Sequence, residues 1–593
     1  MQERKEISEQ YKWNLTDIFK TFEDWQNSLD EVRNSLISFE NFKGKLRNIK
    51  SLYECLSLKD ELNKKTNLLL LYSRLQADQD TRIAENQVLV AKYKQLEAEY
   101  YSSISFIEPE LIEIGDKILD FASEKDLQIY KHYFHDILRS QKHALSIEKE
   151  ELLATISELN SSFSNIHNMT NNADIVFQDV LDSEGNKHKL THGTSMNYSE
   201  SDDRVLRKNT FENGIKEYAI RKNALSQNFI EFLKKERIYA SVKNYNSSLE
   251  AKLDQDNIPV KIYTNLIDVV DKNLKPLHKL YEIRKQKMGL DELYNYDLWV
   301  SLVKDVDTKI TYKEASKNVS EALKFLGEEY HQIVEEGFNN RWVDVYENTG
   351  KYSGAYNFSV QGVHPYILMN WNDTINNMFT LAHEFGHALH SHFSHEFQPN
   401  ITSHYTTFLA EIASTLNEIL LHEYLMKNTD DPKKRVYLLS KRIEAFRSTL
   451  FRQKTFAEFE KKAHELAKEG KASFDTLNNT FLDVLKKETG SSVLYAENAE
   501  LGWLRIPHFY MTFYVYQYAT SFCASIAIYE MIKSEGQTAI NRYLNMLKAG
   551  KSGYSVDLLK ACGVDLTTKE PIEKAMKNFA ELVDQLEKEL EKI

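Results

Sequence analysis

The chain has 593 residues, enough for several domains and a large core, and a net charge of −13. The acidic balance argues against a nucleic-acid surface, and three scattered cysteines (Cys55, Cys523, Cys562) exclude a disulfide framework or a cysteine metal site. No apolar run nears the roughly 18 residues of a membrane span and no signal region follows Met-Gln-Glu-Arg-Lys, so no membrane partner and a cytoplasmic location are expected.

Only 19 Gly and 8 Pro interrupt a chain rich in helix formers, which predicts a mostly α fold with few long loops. Up to about residue 170 the pattern is of successive amphipathic helices with solvated charged faces. Ile175-Val176-Phe177 and Lys187-His188-Lys189-Leu190 then flank Asp182-Ser183-Glu184-Gly185-Asn186, a hairpin signal. The polar stretch Ser199-Glu200-Ser201-Asp202-Asp203 opens another long helical region. A domain boundary is expected near residue 195, dividing 1–195 from 196–593.

A second β island covers Gly350 to Trp371, with Tyr366-Ile367-Leu368-Met369 as a strand. Asn372-Asp373-Thr374 supplies a turn and N-cap candidates. Ile375, Met378, Phe379, Ala382, Phe385 and Gly386 follow at helical spacing, Gly386 being small enough for close packing.

This helix carries His383-Glu384-Phe385-Gly386-His387. Residues four apart share a helical face, so His383 and His387 can bind one zinc ion, with Glu384 beside it to accept a proton from water. Glu411, on the next predicted helix, offers a third ligand and leaves a fourth position open. The metzincin pattern is excluded, because it needs Gly at position 390 and His at position 393, where this chain has His390 and Phe393.

His390 is a rival third ligand, but it lies about 10.5 Å along the helix axis from His383. His392 and His395 read as solvated surface groups. Glu418, two turns after Glu411, is either a carboxylate partner for a ligand histidine or a surface group. Gly354-Ala355-Tyr356 and His364-Pro365 are candidate sheet edges to which an extended peptide could add a strand. In the last helix, Ile572, Met576, Phe579, Val583, Leu586 and Leu590 form one core-facing stripe.

These segments together resemble the oligoendopeptidase F branch of the thimet-oligopeptidase-like zinc peptidases over nearly the whole chain. Its marks here include Trp13-Asn14-Leu15, Asp203-Arg204 with Arg207, Tyr296-Asp297-Leu298, Ser353-Gly354-Ala355-Tyr356, His364-Pro365-Tyr366, Pro507-His508-Phe509-Tyr510 and Tyr514-Val515-Tyr516-Gln517-Tyr518. The resemblance implies an elongated, largely helical molecule with a deep channel that admits short unstructured peptides, and a small sheet beside the zinc helix. It implies one Zn2+ per chain, held by His383, His387 and Glu411, with Glu384 as catalytic base. It also implies His508 as a catalytic histidine and Tyr518 as the oxyanion donor, with Tyr516 next. At least two of Tyr510, Tyr514, Tyr516 and Tyr518 are expected simply to pack. Tyr352 and Thr512 depart from the family pattern.

The expected activity is therefore zinc-dependent endopeptidase action on oligopeptides. A zinc carboxypeptidase or dipeptidase is the alternative; it would need a cation for a free substrate terminus, with Arg341, Arg447 and Arg505 as candidates. A non-catalytic peptide-binding scaffold is a third reading, which the intact Glu384 opposes.

Overall fold

Few glycines and prolines leave long helices uninterrupted, and the structure, a computed structural model, consists mainly of them. It describes residues 2–303, Val306 and residues 309–593, with all their side chains except those of Ile147, Glu151 and Glu158. Among these residues the long helices are α1 (Ile49–Gln79), α2 (Ala84–Ile104), α3 (Arg204–Val242), α4 (Ile375–Phe397), α5 (Thr407–Lys427), α6 (Tyr516–Glu535) and α7 (Glu570–Leu590). Polar side chains start several of them: Asp203 caps α3 by accepting from Val205 N and Leu206 N, and Thr374 caps α4 by accepting from Asn377 N.

Contacts divide the chain into two compact units. The first comprises Met1–Ala144, Thr308–Leu425 and Ile528–Val564; the second comprises Leu145–Asp307, Met426–Ala527 and Asp565–Ile593, and so contains residue 195.

In the first unit a three-stranded sheet of β3 (Val343–Tyr346), β4 (Tyr356–Phe358) and β5 (Tyr366–Trp371) leads into α4. The middle strand β5 runs parallel to β3 and antiparallel to β4. The sheet therefore starts earlier than the expected island. The sequence signal of β3 is masked by Asp344, which is buried but paired with Lys351 at 2.7 Å and Arg4 at 2.5 Å. The N-terminal segment is pinned to the same strands: Trp13 Nε1 donates to the carbonyls of Trp342 and Ile367. Such bonds offset the cost of burying polar groups.

In the second unit, β1 (Val180–Leu181) and β2 (Lys187–His188) form the hairpin, shorter than expected. Its turn is the predicted one, with Asp182 accepting from Glu184 N and Asn186 N. Ile175 to Phe177 remain outside, because the helix starting at His192 consumes the chain that a longer second strand needs. Arg204 and Arg207 converge on Asp297, which is fully buried, at 2.9 and 2.8 Å. Two separated sequence marks thus form one ion-paired cluster. Phe229, Phe459, Trp503 and Phe509 make an aromatic core, and the whole predicted stripe of α7 is buried.

Candidate metal centre

The metal candidate is set by how closely α4 and α5 approach in the first unit. A Cβ on Gly386 would meet Ser414 Cα at 2.4 Å and the Ala413 carbonyl at 2.6 Å, so only glycine allows this packing. Asn417 locks the pair by donating to the Ala382 carbonyl at 3.1 Å while accepting from Tyr330 Oη at 3.0 Å. Both bonds are buried, so they fix the register of the two helices.

That register brings three ligand atoms together. His383 Nε2 and His387 Nε2 are 3.1 Å apart, and Glu411 Oε2 lies 3.4 and 3.6 Å from them. Four ligands about 2.1 Å from a tetrahedral ion are about 3.4 Å from one another, so the triangle has the edge lengths of a zinc site. Among the described residues it is the one His/Cys/Asp/Glu group with that convergence. Ser414 Oγ donates to Glu411 Oε2 at 3.0 Å and orients the carboxylate. Glu418 Oε1 lies 2.6 Å from His383 Nδ1, so it is the partner of that histidine and not a free surface group.

Glu384 is buried on the same helix. Burial lifts its carboxyl to about 7; the charge of His383 opposes this, and so does a hydrogen bond from the backbone N–H of Asn357 in β4. Burial depresses the imidazolium of His383, but Glu418 and the other carboxylates outweigh it and raise that group to about 9. Burial and then the charge on His383 push His387 down to about 4.

His390 stands apart from the triangle. Its ring stacks on Tyr405 at 3.6 Å, is fully buried, and has no hydrogen-bond partner among the described residues; burial pushes it down to about 3. His392 and His395 are half-buried, not solvated as expected, and burial lowers both.

The edge candidates are divided by the sheet order. Gly354, Ala355 and Tyr356 lead into or lie on the outer strand β4, whose Asn357 reaches Glu384. The Tyr356 side chain is committed elsewhere, its hydroxyl donating to Asp78 at 2.6 Å, and the Gly354 carbonyl accepts from Asn370 Nδ2 at 2.8 Å. His364 and Pro365 precede β5, the middle strand, so they form no edge; His364 stacks on Trp342 and pairs with Asp17 at 3.3 Å.

The aromatic segment lies in the second unit. Tyr516 is 2% exposed and packs on Tyr263, so its expected substrate contact is replaced by a core position. Tyr510 packs on Phe229 and Phe232 and accepts from Asn228. Two of the four tyrosines therefore pack, as expected. The other two form a cluster with the histidine: His508 and Tyr514 rings are 6.5 Å apart, and the Tyr514 and Tyr518 hydroxyls 3.4 Å apart. Burial lowers His508.

Sequence reasoning missed what shapes this segment. Phe513, just before Tyr514, has φ of +50°, and its N–H donates at 2.6 Å to the fully buried Glu460. Burial pushes Glu460 up to about 8, so it is neutral at pH 7. A lone Glu in an amphipathic helix carries no signal of such a bond. Of the candidate arginines, Arg341 is taken up by the carbonyls of Lys12 and Trp13, and Arg447 by Leu298 O and Glu444.

Comparison with known proteins bears on the whole chain. The model of peptidase family M3 matches residues 197–578, and the oligopeptidase F model matches residues 110–177. Oligopeptidase PepF of Bacillus subtilis is 42% identical across 100% of this chain and 89% of its own length. Group B oligopeptidase PepB of Streptococcus agalactiae is 36% identical, covering 98% of each chain. The crystal structure of oligoendopeptidase-F from Enterococcus faecium superposes with a TM-score of 0.75 at 31% identity, over 96% of this chain and 99% of that one.

Proposed function

The chain belongs to peptidase family M3, in its oligoendopeptidase F branch, and is a metallopeptidase; from that premise we propose that it uses zinc to hydrolyse internal bonds of short, unstructured oligopeptides. The observation that carries the zinc reading is the triangle of His383 Nε2, His387 Nε2 and Glu411 Oε2, with edges of 3.1 to 3.6 Å. Two imidazole nitrogens and a carboxylate suit zinc with an open fourth position.

Zinc, when bound by these residues, lowers the pKa of a water and polarises a carbonyl. Glu384 takes one proton from the attacking water as its oxygen bonds to the carbonyl carbon. It then delivers that proton to the amide nitrogen as the C–N bond breaks. Its burial keeps the carboxyl ready to exchange a proton near neutral pH. The Asn357 N–H holds the carboxylate in place. Glu418 fixes His383 with Nδ1 protonated and Nε2 free to ligate. Tyr518 and His508 are assigned as donors to the developing oxyanion, each such donor contributing roughly 10²–10³ in rate. The backbone around Gly354, Ala355 and Tyr356 is assigned to strand addition by the substrate, which binds main chain and tolerates varied side chains.

The test is metal analysis beside peptide cleavage. The reading predicts one zinc per chain, loss of cleavage on chelation, and recovery on adding zinc. Full activity in metal-free protein contradicts it.

A further inference from the structure

A cavity of about 370 Å³ lies wholly within the second unit, which contains no residue of the metal triangle. That volume falls in the range of small-ligand sites. Its wall is largely apolar and aromatic, with Phe177, Phe211, Ile215, Trp299, Phe456 and Phe481 among its residues. Into this wall are set three arginines, Arg447, Arg452 and Arg505.

The three differ in what they already hold. Arg447 has Glu444 and the Leu298 carbonyl, and its guanidinium lies 5.1 Å over the Trp299 ring. Arg452 has only a ring contact, 5.6 Å from the centre of Phe456. Among the described residues neither the Arg452 nor the Arg505 side chain makes a hydrogen bond or an ion pair. The Arg505 side chain is exposed to water, yet its surroundings and the nearby charge of Arg452 both disfavour its charged form, so two like charges face one open space. One acidic residue shares the wall: Glu488, whose carboxylate accepts from Thr455 Oγ1 at 2.6 Å. With Arg447 matched by Glu444, the cavity keeps an excess of cationic donors in apolar surroundings.

We propose that this cavity binds a carboxylate that carries an apolar body, such as the C-terminal residue of a short peptide or an acylated amino acid. The planar guanidinium fork matches the planar carboxylate, and an anion between Arg452 and Arg505 relieves their repulsion. The aromatic wall takes the side chain. Arg505 and Ile506, both in the wall, directly precede Pro507–Tyr510, so a bound carboxylate braces the segment that carries His508. The proposal does not depend on the zinc chemistry.

The experiment is calorimetric titration of the full-length protein with N-acetyl-Leu-Phe, its C-terminal amide, N-acetyl-phenylalanine and inorganic phosphate. The acid is expected to bind at least tenfold more tightly than the amide, and to lose that advantage in Arg452→Gln and in Arg505→Gln. Binding must persist in Glu411→Ala, which separates this cavity from the metal centre and keeps the result independent of the peptidase reading. N-acetyl-phenylalanine binding as well as the dipeptide assigns the cavity to a single terminal residue; dipeptide binding alone assigns it to a peptide end. Equal binding of acid and amide overturns the proposal, as does loss in Glu411→Ala or binding of phosphate alone. The acid–amide comparison uses the unmodified protein, so it stands even where an arginine variant fails to fold.

Discussion

Glu418 Oε1 lies 2.6 Å from Nδ1 of His383, on the ring edge opposite the nitrogen that faces His387 and Glu411. The two residues sit on different helices, so this contact ties the orientation of one ligand to the packing of α4 on α5. Removing the carboxylate frees the ring and lowers its basicity. Glu418→Ala is expected to weaken zinc binding by about 10–100-fold. Competition with a graded chelator measures it, and unchanged affinity removes Glu418 from the site.

Gly386 faces the Ser414 backbone at a distance no side chain allows. Gly386→Ala must push α4 and α5 apart, at a cost of about 1–3 kcal/mol or more. Thermal melting and zinc content should fall together. A variant with normal melting and normal zinc shows that the helices can part without disturbing the ligands.

The proton shuttle and the ligand set separate cleanly. Glu384→Gln should keep its zinc and its fold and lose about 10²–10⁴ in kcat. Loss of zinc in this variant instead makes the residue structural.

The two neighbouring tyrosines give a paired test. Tyr518→Phe should lower kcat roughly 10²-fold or more with little change in KM, as the proposed donation to the developing oxyanion requires. Tyr516→Phe should leave kcat near that of the parent, since its ring is packed on Tyr263 in the core. The opposite pattern reassigns the oxyanion donor.

Glu460 provides the pH dependence. Burial raises its carboxyl to about 8 in the folded chain from an ordinary 4.5, so the folded state holds a proton that the unfolded state releases. The contribution of this group to stability is therefore fully present below about pH 4.5 and is lost as pH rises toward 8. Gln at this position can still accept from Phe513 N and has no proton to lose. Glu460→Gln should match the parent near pH 5 and exceed it near pH 8, by on the order of 1–3 kcal/mol. Urea titrations at the two pH values decide it; equal differences at both show Glu460 to be ionised in the fold.

Much of this was legible because the chemistry is local. The two histidines and Glu384 share one helix, so spacing alone places them, and the stripe of α7 follows from its period. The spacing of Glu411 and Glu418 suggested one face, but only the packing of α5 shows that both carboxylates meet His383. Long-range partners were invisible. Nothing near Asp344 announces Arg4, nothing near Phe513 announces Glu460, and the tyrosine run gives no hint which rings turn inward. The edge role of His364 failed because strand order, which sequence does not encode locally, puts β5 in the middle of its sheet.

The most direct measurement is the mass of products from unstructured peptides of graded length, beside a folded protein and a chelator-treated control. The account predicts internal cuts in the short peptides, none in the folded protein, and none after chelation. Stepwise loss of residues from one terminus, or cleavage that survives removal of the metal, contradicts it.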